Sequence, residues 1–181
     1  TAIVMPVNDA PVADSIDDST LEDKSLVIAL VASDVDGDAL TYSLDTDAIN
    51  GSVVIDGTVA TYTPTSNFNG IDSFVYMAND GELSDTAEVA LTIDPVNDAP
   101  ILATVSDVSF DEDSSTSITL SGSDVDGDDL SYSISAGTDI TASLTGSDVS
   151  FSAPADFNGS ETFTVTVSDG ELSDSQSITV I

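Results

Sequence analysis

The sequence predicts an all-β protein built from two tandem β-sandwiches of about seven strands each, joined end to end. Two observations lead to this fold class: apolar residues alternate with polar ones in short runs, and the order of motifs occurs twice. The phrase Val-Asn-Asp-Ala-Pro ends at Pro11 and again at Pro100, so its period is 100 − 11 = 89 residues. Asp80-Gly81 and the four residues after it return at the same spacing from Asp169.

Apolar residues at every second position predict the strands of the first copy, since alternate side chains of a strand share one face. The runs with this spacing are Leu26 to Ala32, Leu40 to Leu44, Val53 to Ile55, Thr58 to Tyr62, Phe74 to Ala78 and Ala87 to Ile93. Asp56-Gly57 predicts a two-residue hairpin turn. We expect a further short strand near Val12 to Ile16, with a counterpart near Val105 to Phe110.

The repeat sets the expected domain boundaries. Residues 1–97 form the first repeat, with a preceding linker at 1–11, and residues 98–181 form the second. The hinge 94–100 contains Pro95 and Pro100, which restrict their own backbone and the residue before each, so it should be extended and semi-rigid. Because the chain begins inside the repeated phrase and ends inside an expected strand, we expect a fragment of a longer array.

Charge and composition exclude several classes of function. The 181 residues contain 34 Asp and Glu against one Lys or Arg, with no His and no Cys, and the formal net charge is −33. Nucleic acid and anionic membranes need basic residues for binding, so neither is an expected partner. Catalytic triads need His or Cys, and we therefore expect no enzyme. Cations are the expected partners.

Two acidic loops point to a metal site. Asp34, Asp36 and Asp38 alternate along one loop, and Asp124, Asp126 and Asp128 repeat the pattern. Oxygen-only ligands select hard cations such as Ca²⁺. The loop is not an EF-hand, because the sixth and twelfth positions lack the required Gly and Glu. The alternative is a polar loop, since Asp and Gly also favour turns for local reasons.

The chain resembles the tandem cadherin-like repeats, with an immunoglobulin-like β-sandwich fold, of large bacterial surface adhesins and secreted proteins. The resemblance rests on an early Glu in each copy (Glu22, Glu112), the Asp-x-Asp loops, the Asp-Gly turns and the hinge 94–100. In that family Ca²⁺ ions lie between successive repeats. The resemblance therefore implies Ca²⁺ at the hinge of this chain.

The resemblance also implies which residues would bind the ions. At the junction they are Glu22, Asp94, Asn97, Asp98, Asp124, Asp126 and Asp169, with Asp72 and Asp128 as weaker candidates. An incomplete N-terminal set comprises Asn8, Asp9, Asp34, Asp36 and Asp80, because the repeat that would supply its Glu is missing. Glu112 faces an equally incomplete site at the other end.

We therefore expect a calcium-binding extender module of a secreted bacterial adhesin, located outside the cell or on its surface, in which Ca²⁺ stiffens the array. Its partners would be calcium ions, neighbouring repeats of the same chain, and a polysaccharide or cell-surface protein; the chain itself would be a monomer. One alternative is a Ca²⁺-dependent carbohydrate- or protein-binding module. Another is an acidic spacer that needs only diffuse counterions.

Overall fold

Strands account for all the regular structure in the computed structural model, which describes residues 3, 5 and 7–181. The all-β prediction is confirmed. No helix in the described part of the chain is long and apolar enough to cross a membrane. The structure divides into two units: unit 1 ends at Val96, and unit 2 comprises Asn97–Ile181. Positions 1, 2, 4 and 6 of the expected linker lie outside the described residues.

The described residues of unit 1 form nine strands. They are β1 (Val12–Ala13), β2 (Ile16–Leu21), β3 (Leu26–Ala29), β4 (Ala32–Ser33), β5 (Thr41–Thr46), β6 (Gly51–Asp56), β7 (Val59–Pro64), β8 (Gly70–Asn79) and β9 (Ser84–Asp94). They form a four-stranded sheet in the order β2-β9-β8-β5, a three-stranded sheet in the order β3-β7-β6, and the small pair β1-β4. β2 runs parallel to β9, and the other pairs are antiparallel.

Unit 2 contains eight strands in the same plan. They are β10 (Ile101–Leu102), β11 (Ser115–Thr119), β12 (Gly122–Ser123), β13 (Ser131–Ile134), β14 (Thr141–Thr145), β15 (Asp148–Ser152), β16 (Glu161–Ser168) and β17 (Ser173–Val180). Two three-stranded sheets, β11-β15-β14 and β13-β16-β17, accompany the pair β10-β12.

Each unit has its own apolar core, as expected for a sandwich that buries one face of each sheet. In unit 1 the largest buried side chains are Tyr62, Phe74 and Tyr76. In unit 2 the rings of Phe151 and Phe163 meet edge to face, with centroids 5.4 Å apart. The inward faces predicted for β8 and β9 are confirmed, because their alternate residues are buried, and β16 and β17 repeat the pattern in unit 2.

Three local predictions were wrong. The run from Leu26 to Ala32 is two strands, β3 and β4, because Leu30 and Val31 carry the chain from a sheet with β7 to a pair with β1. The first hairpin loop is Gly57-Thr58, since Asp56 pairs with Val59. The strand expected at Val105 to Phe110 is a single bridge between Val108 and Val180.

Candidate metal sites

The first acidic loop of unit 1 joins β4 to β5 and is organised by Asp34. Asp34 Oδ1 accepts hydrogen bonds from the backbone N–H groups of Asp36, Gly37 and Asp38, at 2.9, 3.0 and 3.3 Å. This is the local side-chain-to-backbone bonding for which Asp is favoured in turns. Gly37 has φ +81°, a conformation open to glycine at little cost. The loop thereby curls around one carboxylate.

The other oxygen of that carboxylate has no hydrogen-bond donor. Asp34 Oδ2 is buried, although the Asp34 side chain as a whole is half-buried. One oxygen each from Asp34, Asp36 and Asp38 lie within 4.8 Å of one another. Burying a charged oxygen without a partner is costly, and like charges at this spacing repel. A hard cation bound by these oxygens would relieve both costs, so the residues fit Ca²⁺.

Unit 2 repeats this arrangement independently. Asp124 Oδ1 accepts hydrogen bonds from the N–H groups of Asp126, Gly127 and Asp128, at 2.9, 3.1 and 3.4 Å. Asp124 Oδ2 is also buried without a hydrogen-bond partner, and one oxygen each from Asp124, Asp126 and Asp128 lie within 4.8 Å of one another. Two copies with the same buried oxygen show that the geometry belongs to the repeat.

The segment that precedes each sandwich is tied to these loops. In unit 1, Asn8 Nδ2 donates to Asp80 Oδ2 at 2.9 Å, and the N–H of Asp9 donates to Asp36 Oδ2 at 2.8 Å. In unit 2 the same bonds recur at the same lengths. They join Asn97 Nδ2 to Asp169 Oδ2 and the N–H of Asp98 to Asp126 Oδ2. Predicted ligands far apart in sequence are therefore neighbours within each unit.

Hydrogen bonds hold the carboxylates of the Asp-Gly turns in their charged form. The Asn97 amide and the backbone N–H groups of Leu172 and Glu171 lower the pKa of Asp169 below its ordinary 3.8. In unit 1 the N–H groups of Leu83 and Glu82, with a smaller effect of Asn8, lower the pKa of Asp80 in the same way.

Glu22 lies in unit 1 at the C-terminal end of β2 and is 2% exposed. Its Oε1 accepts the N–H of Val96 at 2.5 Å, and Asn69 Nδ2 approaches its Oε2 at 3.4 Å. The N–H of Glu22 donates to the carbonyl oxygen of Asp94 at 2.9 Å, whereas the Asp94 side chain is exposed. Glu112, the counterpart of Glu22 in unit 2, is exposed.

Asp72, a weaker candidate ligand, makes hydrogen bonds that stabilise the fold of unit 1. Its carboxylate accepts the N–H groups of Ile49 and Asn50 at 3.1 and 2.9 Å and the Tyr62 hydroxyl at 3.0 Å. These bonds anchor the loop before β6, and they occupy both oxygens. Burial, with an additional effect of Asp72, raises the pKa of Tyr62.

The structure brings the predicted residues into separate groups. Unit 1 holds the pairs Asn8–Asp80 and Asp9–Asp36, the latter beside Asp34, and separately Glu22 with the backbone of Asp94. Unit 2 groups Asp98 with Asp124, Asp126 and Asp128, and pairs Asn97 with Asp169. Asp38, which the alternating acidic loop had marked as a metal candidate, lies in the cluster with Asp34 and Asp36. Asn69 was absent from the expected ligand sets, although its stretch recurs 89 residues later around Asn158, because such a repeated polar stretch is equally typical of a structural loop.

Comparisons with known proteins agree with this architecture. The family profile described as "Bacterial Ig domain" matches residues 8–92 and 97–181. A curated relative, Chitinase A of Pseudoalteromonas piscicida, is 32% identical over 142 residues, which are 77% of this chain and 17% of that protein. The chain thus spans less than a fifth of that relative.

Two solved cadherin structures share the fold. Human protocadherin-24 EC1-2 has 16% sequence identity and a TM-score of 0.59, with 96% of this chain and 100% of that chain covered. Drosophila N-cadherin EC1-4 has 17% identity and a TM-score of 0.58, with 96% and 49% covered. These neighbours confirm the cadherin-like fold predicted from the sequence.

Proposed function

Because the chain belongs to the bacterial Ig domain family, in two tandem copies, we propose that it is a calcium-binding structural spacer. Domains of this kind are typically non-catalytic. The spacer would belong to a secreted or surface protein, as the similarity to a chitinase also suggests. Its task would be to hold the parts of a longer protein at a distance, stiffened by Ca²⁺ for adhesion.

One observation carries the proposal. The same carboxylate in each unit, Asp34 or Asp124, uses one oxygen to organise its loop and buries the other without a hydrogen-bond donor. If the loop served only as a turn, that oxygen would be exposed to solvent. Two further carboxylates lie within 4.8 Å of it in each unit, which is the ligand chemistry that Ca²⁺ prefers.

Some of the residues that would hold the ions lie in the hinge 94–100. Asn97 and Asp98 are already bonded to Asp169 and Asp126, so an ion bound by these carboxylates would restrain the segment that begins unit 2. Within unit 1, Glu22 and Asp94 remain proposed Ca²⁺ ligands, following the resemblance to cadherins. Extracellular modules bind Ca²⁺ with Kd of about 10⁻⁴–10⁻³ M. At a few millimolar calcium such a site adds about 1–2 kcal/mol of stability.

Thermal unfolding in EDTA, in millimolar Ca²⁺ and in equal Mg²⁺ tests the proposal. We expect a calcium-specific rise in Tm that Asp124→Asn largely removes from unit 2. Asp129→Asn is the matched control, because Asp129 is exposed, adjacent in sequence and outside the cluster. Equal responses to the two ions would indicate charge screening and would refute a specific site. NMR relaxation of residues 94–100 should show restricted motion only with Ca²⁺.

The chitinase relative favours a second candidate, a carbohydrate-binding accessory module of a polysaccharide-degrading enzyme. A pull-down of the chain on chitin, with and without Ca²⁺, tests it. Retention that depends on Ca²⁺ and disappears with Asp124→Asn would support this candidate. Absence of retention under both conditions would leave the spacer function as the better proposal.

A further inference from the structure

A groove on the outer face of the four-stranded sheet of unit 1 is separate from the acidic loops. Its volume is about 380 Å³. Residues from β2, β8, β9 and the loop before β6 line it, among them Asp17, Ile49, Ile71, Glu88 and Ala90. The groove thus combines apolar and acidic side chains within one unit.

The sequence of β9 explains why the groove exists. Val89 and Leu91 point into the core, so Ala90 between them faces outward. Ala90 pairs with Asp17 on β2 and with Ser73 on β8, which places three short side chains in one row across the sheet. The larger side chains of Ile71 and Glu88 stand around this row. The row forms the floor of the depression.

Two isoleucines at the groove are unusually open to solvent. Ile49 is 88% exposed and Ile71 is 81% exposed. A single exposed isoleucine needs no explanation, but two that line one concave site are typical of an interaction surface.

Unit 2 shows that the fold does not require the apolar residues of this groove. Its strands keep the same register, with Thr162 opposite Thr179 where unit 1 has Ser73 opposite Ala90. Hydroxyl side chains replace four of the residues that line the groove, 89 positions later: Thr138, Ser160, Ser177 and Thr179 stand for Ile49, Ile71, Glu88 and Ala90. Ile49, Ile71 and Glu88 are therefore particular to unit 1, whereas Asp107 keeps one acid at the position of the Asp17-Asp18 pair.

The sheet edge beside the groove is also particular to unit 1. β2 lies at the edge of its sheet, and β9 is its one strand neighbour among the described residues. In unit 2 the matching segment is reduced to the bridge between Val108 and Val180. An edge strand of six residues can pair with an added peptide strand.

The negative charge of the groove indicates that its ligand is positively charged. Asp17, Asp18 and Glu88 line the groove, and the chain as a whole carries a formal charge of −33. A second copy of this chain would be repelled, whereas a basic segment would be attracted. We propose that the groove docks an extended basic peptide segment of a partner protein, with an aliphatic side chain against Ile49 and Ile71 and cationic side chains toward the three acids.

Two synthetic peptides test this proposal against the intact chain. The probe is acetyl-Gly-Lys-Ile-Lys-Ile-Lys-Gly-amide, and its charge-matched control has Ser in place of both Ile. Titrations followed by ¹⁵N NMR should give binding of the Ile peptide with shifts concentrated at Ile71, Ser73 and Ala90. The affinity of the Ser peptide should be lower by about tenfold or more, because this peptide lacks the buried aliphatic side chains.

Substitutions locate the site. Ile49→Thr with Ile71→Ser introduces the residues of unit 2, and it should weaken the Ile peptide about tenfold or more. Glu88→Ser should weaken it further and reduce its salt dependence. Val27→Thr with Val54→Thr is the matched control, because both valines are 67% exposed on the other sheet of unit 1. Equal affinity for the two peptides, shifts spread over both units, or absence of binding would overturn the proposal.

Discussion

The Tyr62 hydroxyl donates a 3.0 Å hydrogen bond to Asp72 inside unit 1, whereas the equivalent positions of unit 2 hold Phe151 and Glu161. Both carboxylates anchor the loop before the first strand of a hairpin. Asp72 accepts two backbone N–H groups there, and the longer Glu161 accepts three, from Thr138, Asp139 and Ile140. The two copies thus anchor the same loop with different residue pairs, Tyr62 with Asp72 in unit 1 and Phe151 with Glu161 in unit 2. This difference can be tested by substitution.

Tyr62→Phe should destabilise unit 1, because it removes one hydrogen bond from a buried carboxylate oxygen. The expected loss is about 1 kcal/mol, or about 4–8 °C in Tm for a unit of this size. Adding Asp72→Glu recreates the pair found in unit 2 and should recover part of the loss. Calorimetry of the single and double variants measures both effects. A double variant less stable than the sum of its single substitutions would contradict this coupling.

Unit 1 should lose stability in alkali before unit 2 does. Burial raises the pKa of Tyr62 and of Tyr76 above the ordinary 10.0, so both phenols stay protonated in the folded state. Their contribution is complete below pH 10 and is lost as pH rises further, because only the unfolded chain ionises readily. Unit 2 has Phe151 and Val165 at these positions. Tyrosinate absorbance and NMR at pH 8–12 should show unit 1 unfolding first.

Asn97→Ala should raise the pKa of Asp169 toward 3.8, because the Asn97 amide is the largest cause of its lowering. A carboxylate with a lowered folded pKa contributes stability above its ordinary pKa, and that stability is lost as pH falls through the folded value. The variant should therefore be less stable than the parent above about pH 4. Carboxyl NMR titration in EDTA measures the shift, and Asp80, still bonded to Asn8, is the internal reference. An unmoved Asp169 would refute the assignment.

Asp34→Asn should have opposite effects with and without calcium. In EDTA it removes a buried charge from a group of like charges and supplies an N–H₂ donor, so the Tm of unit 1 should rise. In millimolar Ca²⁺ the variant lacks a ligand and should fall below the parent. Asp56→Asn, a change at an exposed position outside the cluster, should have little effect in either buffer. A fall in the Tm of Asp34→Asn in EDTA would indicate that Asp34 only organises its loop and is not a metal ligand.

Much of the site could be predicted from local sequence, because Asp34 and Asp124 organise their own loops through bonds spanning two to four residues. The ties across 72 residues, from Asn8 to Asp80 and from Asn97 to Asp169, followed only from the resemblance to a known family. The buried state of one oxygen of Asp34 could not be predicted at all. Burial depends on how surrounding segments fold over an atom, which no local pattern records.

The sequence by itself determined the all-β class, the two copies and the inward faces of the long strands, because alternation and repetition are local properties of the chain. Only the tertiary structure decided where one run divides between two sheets, that β2 runs parallel to β9, and that Ala90 forms the floor of a groove. These features depend on which strands become neighbours. Neighbours are chosen by the packing of the whole sandwich, and residues adjacent in sequence do not decide them.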